Sequence, residues 1–157
     1  MECQITLKVN GNTVDAMIDT RSLLVDFLRD ELGLTGTHVG CTTGNCGACT
    51  VDLDGFTVKS CTLLAADVSG SHVVTIEGIN SADGVGGDLS SIQQAFVKHH
   101  ALQCGFCTPG MVLSVRQLLK KNPHPSQHDI RRGIAGNLCR CTGYASIVRA
   151  VLDLTHE

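Results

Sequence analysis

Eight of the nine cysteines fall into two sets whose spacing leaves the chain few ways to fold. Cys41, Cys46 and Cys49 stand in the order C-x4-C-x2-C, and Cys61 follows after eleven intervening residues. Cys104 and Cys107 form C-x2-C, and after thirty-one more residues Cys139 and Cys141 form C-x-C. Cysteines serve as disulfide partners, metal ligands, catalytic thiols or small buried apolar residues. The first residues, Met1-Glu2-Cys3-Gln4, lack the basic stretch and apolar run of a secretory signal. Arg131-Arg132 lies too deep to act as a twin-arginine export signal. No apolar stretch approaches the ~20 residues that span a bilayer. The expected compartment is therefore the cytoplasm, where many cysteines point to metal rather than to disulfides.

The first set has the plant-type spacing for a [2Fe–2S] cluster. Three thiolates on one tight loop surround a cluster only if the backbone folds closely around its sulfides. Gly40, Gly44 and Gly47 supply that freedom, and loop N–H groups can then donate to sulfur. A structural zinc site is the competing reading, but zinc sites pair their thiolates as C-x2–4-C knuckles, which a triple-cysteine glycine loop fits poorly.

The second set is less specific by itself, because Cys104-Gly105-Phe106-Cys107 also resembles a thioredoxin-like redox pair. No βαβ pattern surrounds it, and Cys139-Arg140-Cys141 stands at an equivalent place before another helix. A helix N-terminus offers free N–H groups and partial positive charge to an anionic cluster. Two such helices side by side would bring four thiolates together. His99-His100 lies close by, yet a Rieske site, with two histidines on one iron, is not needed because both quartets are complete. Cys3 is left over, and its place on the apolar face of a strand suits a buried apolar residue.

Around these cysteines the periodicity changes once. Residues 3–9 alternate as a strand, Asn10-Gly11-Asn12 turns, and 13–18 continue as a second strand. Ser22 can cap a helix carrying Leu23, Leu24, Phe27, Leu28 and Leu32, ended by Gly33. Residues 49–53 and 56–61 read as strands about Asp54-Gly55, and 72–77 as a short β run. The result is a small mixed sheet with one helix across it. Residues 80–90, rich in Gly, Ser and Asp, form a candidate linker. Beyond it every periodic segment is helical: one from Ser90 or Ser91 to about 99, one from Thr108-Pro109 to about 121, one from the Ser126/Asp129 capping box to about 135, and one from Thr142 or Gly143 to 153. The chain therefore divides into residues 1–79, the linker 80–90, and 91–157, an α+β arrangement.

Composition agrees with a packed protein that needs help from its cysteines: 43% of the 157 residues are apolar but only 3% aromatic, which leaves little large side-chain area to bury. Residues 1–88 carry 4 Lys/Arg against 12 Asp/Glu, and residues 89–157 carry 8 against 3. This split reflects either two units with different neighbours or solvated faces that differ by chance. A nucleic-acid binder has little support, since the basic charges are dispersed without interleaved aromatics.

Three stretches carry a specific resemblance: Gly40-Cys41-Thr42-Thr43-Gly44-Asn45-Cys46-Gly47-Ala48-Cys49-Thr50-Val51, Gln103-Cys104-Gly105-Phe106-Cys107-Thr108-Pro109-Gly110 and Gly136-Asn137-Leu138-Cys139-Arg140-Cys141-Thr142-Gly143-Tyr144. With them the chain resembles the small iron–sulfur subunit of the molybdenum hydroxylases, the xanthine dehydrogenase family. The resemblance implies a ferredoxin-like β-grasp domain followed by a four-helix [2Fe–2S] domain, with one cluster in each. It implies a large partner subunit with a molybdenum–pterin cofactor, a medium subunit with FAD or another electron acceptor, and a dimer of heterotrimers. It also implies that Gln103 and Cys141 lie near the partner's pterin. Substrate choice, whether purine, other N-heterocycle, aldehyde, carbon monoxide or aromatic thioester, would rest with the large subunit. The alternative is a free-standing two-cluster electron carrier of the ferredoxin type. A mobile carrier needs only the first cluster, whereas two clusters suit a fixed wire.

Overall fold

The computed structural model describes residues 1–80 and 89–155. The glycine-rich stretch expected as a linker falls largely on residues 81–88, outside the described residues.

The chain opens with a hairpin, β1 (Glu2–Val9) and β2 (Asn12–Asp19), paired antiparallel with Val9 opposite Asn12. Asn10 and Gly11 turn it with φ of 50° and 86°, a region that Asn and Gly tolerate best. A short helix α1 (Leu24–Asp26) runs on into wider π-type turns over Phe27–Glu31, closed by Leu32 N–H to Phe27 O at 3.1 Å. The cap differs from expectation. Leu23, not Ser22, precedes the helix and no side chain caps it. Strand-like bonds hold this entry instead, with Leu24 N–H donating to Leu63 O and Ala65 N–H to Ser22 O.

Among the described residues, strands β3 (Thr50–Leu53), β4 (Phe56–Lys59) and β5 (His72–Val74) complete one sheet in the order β2-β1-β5-β3-β4. β1 and β5 are parallel and the other pairs antiparallel. The run expected through residue 77 stops at Val74 because the Asn10 side chain takes over the pairing. Its Oδ1 accepts from Thr75 N–H, and its Nδ2 donates to Thr75 Oγ1, both at 2.9 Å. Ile5, Leu7 and Val9 point from β1 into a core with Leu24, Phe27, Leu28 and Val73. Fully burying each such side chain contributes about 1.5–3 kcal/mol, and the period-two pattern of β1 puts all three on that face.

In the second half the described helices are α2 (Ser91–Lys98), α3 (Thr108–Lys121), α4 (Gln127–Gly133) and α5 (Ala145–Thr155). Ser90 with Gln93 and Ser126 with Asp129 form reciprocal capping boxes, each satisfying two otherwise free N–H groups. α5 starts later than Thr142 because Gly143 and Tyr144 take left-handed backbone, with φ of 62° and 68°. Phe96, Met111, Ile130, Ile134, Ile147 and Val151 form this half's core, and Ile76 and Ile79, just past the sheet, pack into it. The halves touch where α3 crosses β3. There the buried Asp52 carboxylate faces Arg116 at 3.7 Å and Lys120 at 3.8 Å.

Candidate metal centres

In the loop from Gly40 to Cys49, Thr42, Gly44 and Gly47 take positive φ (57°, 77° and 76°). Gly40 meets a different demand, for space: a Cβ there would stand 3.1 Å from Cys46 Sγ. Thr43 N–H and Cys46 N–H each donate to Cys41 Sγ at 3.4 Å. Hydrogen bonds from Thr43 and Cys46 hold the Cys41 thiol down to about 6, which favours the thiolate that binds metal. Cys49 and Cys61 are buried. The turn Ser60–Thr62 after β4 carries Cys61, and Ser60 fixes that turn by donating its N–H and hydroxyl to Cys49 O at 3.2 and 2.7 Å. Burial pushes the Cys61 thiol up, and the Cys49 thiol lies against it. Burial pulls the Lys59 ammonium down from its ordinary value, against the attraction of Cys49, Cys46, Cys61 and Cys41.

The second set gathers at the start of α3 and in the loop before α5. Cys104 and Cys141 are exposed, with their sulfurs 3.6 Å apart. Cys107 occupies the cap position of α3 and lies against Cys139. Burial, then the neighbouring thiol, pushes Cys107 up to about 12. Burial would also raise Cys139, but the Thr142 hydroxyl at 3.1 Å and Thr142 N–H at 3.5 Å outweigh it and bring that thiol down. Cys139 N–H donates to the Tyr144 hydroxyl at 2.9 Å, which fixes the C-x-C loop. Gln103 is exposed beside Cys104. His99 turns instead to Asp153, 3.0 Å away, and Cys3 packs against the core of the sheet.

Each group of thiols suits a [2Fe–2S] cluster, which takes four cysteine thiolates. Among the described residues no three His, Cys, Asp or Glu side chains form a single-ion cage. Backbone N–H and hydroxyl donors aimed at sulfur are the surroundings such a cluster requires.

Residues 7–73 match the family described as 2Fe-2S iron-sulfur cluster binding domain, and residues 75–152 match the [2Fe-2S] binding domain. The caffeine dehydrogenase subunit gamma of Pseudomonas sp. (strain CBB1) is 49% identical over 154 residues, covering 96% of this chain and 90% of that one. The nicotine 6-hydroxylase small subunit of Paenarthrobacter nicotinovorans is 47% identical over 150 residues, covering 96% and 88%. The crystal structure of quinoline 2-oxidoreductase from Pseudomonas putida 86 superposes with a TM-score of 0.92 at 42% identity, over 98% of this chain and 93% of that one. The chain belongs to the iron–sulfur subunits of the molybdenum hydroxylase family. Its two binding domains in tandem give this iron–sulfur subunit two [2Fe–2S] clusters.

Spacing alone did not expose how the iron–sulfur subunit ties its two thiol groups together. Leu138 N–H donates to Cys46 O at 2.8 Å. The buried Asn137 side chain donates to Gly47 O at 3.0 Å and Thr50 Oγ1 at 3.3 Å, and accepts from the Ser114 hydroxyl at 2.7 Å. Lys59 Nζ donates to Thr50 Oγ1 and Gly136 O, each at 2.9 Å. His38 stacks on Phe106 with ring centroids 4.7 Å apart. A polar residue two positions before a spaced cysteine was the available signal for Asn137 and Lys59, but their partners lie 90 and 77 residues away.

Proposed function

We propose that this chain relays electrons from a molybdenum–pterin site on a large partner subunit, through its two clusters, to FAD or another acceptor on a further subunit. In this reading Cys41, Cys46, Cys49 and Cys61 hold the first cluster, and Cys104, Cys107, Cys139 and Cys141 the second. Bound there, each cluster supplies a one-electron redox centre. The observation that carries the reading is the bond from Leu138 N–H to Cys46 O at 2.8 Å. Cys139 follows Leu138 directly, so a few covalent bonds and one hydrogen bond connect a ligand of one set to a ligand of the other. A free-standing carrier has no use for so fixed a connection.

Gln103 and Cys141, both exposed, are proposed to face the pterin, making the second cluster the first to be reduced. Exposed Phe106 and Leu138, beside ligands in the chain, suit burial against a partner. We read residues 1–79 as a ferredoxin-like β-grasp unit and 91–157 as a four-helix unit. The assembly is proposed to be a dimer of heterotrimers in the cytoplasm.

The test is selective loss. The purified protein should hold two iron and two acid-labile sulfide per cluster, with both clusters reducible. Cys46→Ser should abolish one electron paramagnetic resonance signal and spare the other, and Cys107→Ser should do the reverse. Stoichiometric zinc, or loss of both signals from either change in a folded sample, would refute the ligand sets.

A further inference from the structure

We infer that Lys59 is the fixed positive charge that tunes the reduction potential of the cluster held by Cys41, Cys46, Cys49 and Cys61. The inference rests on that ligand set. Residues 1–88 contain four basic side chains, Lys8, Arg21, Arg29 and Lys59. Arg21 is spent on Asp19 at 2.8 Å, and Arg29 on Thr35 O and Thr37 O. Lys59, like Arg29, has no carboxylate beside it among the described residues, but it stands two residues before Cys61 and bonds to the residue that follows Cys49. Its ammonium is half-buried, its two hydrogen-bond partners are the neutral oxygens Thr50 Oγ1 and Gly136 O, and no carboxylate pairs with it among the described residues. Its Nζ reaches the hydroxyl of Thr50, which follows Cys49 directly and pairs with Lys59 across β3 and β4, so its charge lies beside the first thiol group.

Adding one electron to the cluster adds one negative charge beside that cation. A fixed unit charge nearby, at an effective dielectric constant of about 20, is worth on the order of a tenfold change in the reduction equilibrium. The sign is fixed: the cation favours the reduced form and raises the potential. The same ammonium holds Gly136 O in the loop leading to Cys139, so the charge is anchored by the junction between the two thiol groups. Lys59 is thus a positioning residue whose lever is charge.

A tether without an electrostatic role is the competing reading, and three substitutions separate them. Lys59→Gln keeps an N–H donor and loses the charge, Lys59→Arg keeps both, and Lys59→Met keeps only the apolar stem. Redox titration of the assembled holoenzyme, followed by electron paramagnetic resonance, reads both clusters. The signal lost in Cys46→Ser identifies the first. Gln and Met should lower that cluster's potential by about tenfold in the reduction equilibrium, or about 59 mV for one electron, with a smaller shift in the second cluster. Arg should leave both potentials near wild type. An unchanged first-cluster potential in Gln or Met, or equal shifts in Gln and Arg, would overturn the inference. So would loss of the cluster in both neutral variants while Arg retains it, since that marks a role in assembly alone. If the wild-type protein lacked two reducible [2Fe–2S] signals, the ligand reading would be at fault instead.

Discussion

Replacing Asn137 by Ala should separate the two cluster loops energetically, and the structure sets the scale. The change removes the bonds to Gly47 O and Thr50 Oγ1 and takes away the acceptor of the Ser114 hydroxyl. Gly47 O keeps Thr50 N–H at 3.1 Å and the Thr50 hydroxyl at 2.7 Å, and Thr50 Oγ1 keeps Lys59. Neither is orphaned. Ser114 is the exposed weakness. It is buried and is left to the weaker bond that a helical serine makes to a carbonyl of its own helix. A lost bond costs about 0.5–1.5 kcal/mol and a poorly satisfied buried hydroxyl about 1–3 kcal/mol, so the total is roughly 2–4 kcal/mol. In a chain of this length that corresponds to a fall in Tm of about 5–15 °C, read by thermal scans of the cluster-loaded protein at one scan rate. The double change Ser114→Ala/Asn137→Ala removes the stranded hydroxyl and should recover part of the loss, as coupled neighbours do. Asn137→Asp keeps the shape and the Ser114 bond but buries a charge with no donor for Gly47 O, and should be no milder than Ala. A Tm within 2 °C of wild type for Asn137→Ala, by roughly the same conversion, would refute the account of this bridge.

Asp52→Ala should destabilise by roughly 2–4 kcal/mol, between surface and buried ion pairs, because the buried carboxylate faces Arg116 and Lys120 and also accepts from Gly55 N–H; denaturant midpoints read the change. Asp129 is held below the usual carboxylate range by the Ser126 hydroxyl and N–H. Its contribution is therefore present above the unfolded value of about 3.9 and lost as pH falls through the lower folded value. Asp129→Asn should accordingly narrow the stability gap to wild type below about pH 4, as thermal scans across pH would record.

Local chemistry made much of this fold readable. The β1–β2 turn at Asn10-Gly11, the capping boxes at Ser90 and Ser126, and Pro109 at the start of α3 depend on residues within a few positions of one another. The eight spaced cysteines stood out in the same way, and the fold gathers them into two groups. What escaped depends on distant partners. Asn10 ends β5 by reaching Thr75, 65 residues on, and Leu23 begins α1 because residue 63 supplies the backbone partner of Leu24. The reach of Asn137 into the first thiol loop is of the same kind, since no periodicity encodes a contact between loops. Ile76 and Ile79 follow the sheet in sequence, yet they belong to the helical core because packing, not composition, sets where one core stops.

Three glycines meet where the halves join. A Cβ on Gly110 would stand 2.4 Å from Gly47 O, and one on Gly47 would stand 2.2 Å from Gly136 O. Bare main chain from three separate segments therefore meets at the centre of the seam, where Gly47 and Gly110 have no room for a side chain. A half borrowed from a distant relative would seat only if it kept glycine at the positions of Gly47 and Gly110. Such a seam favours inheritance of the two halves as a pair, so chimeras between relatives should tolerate exchanges of outer strands and helices more readily than exchanges of whole halves.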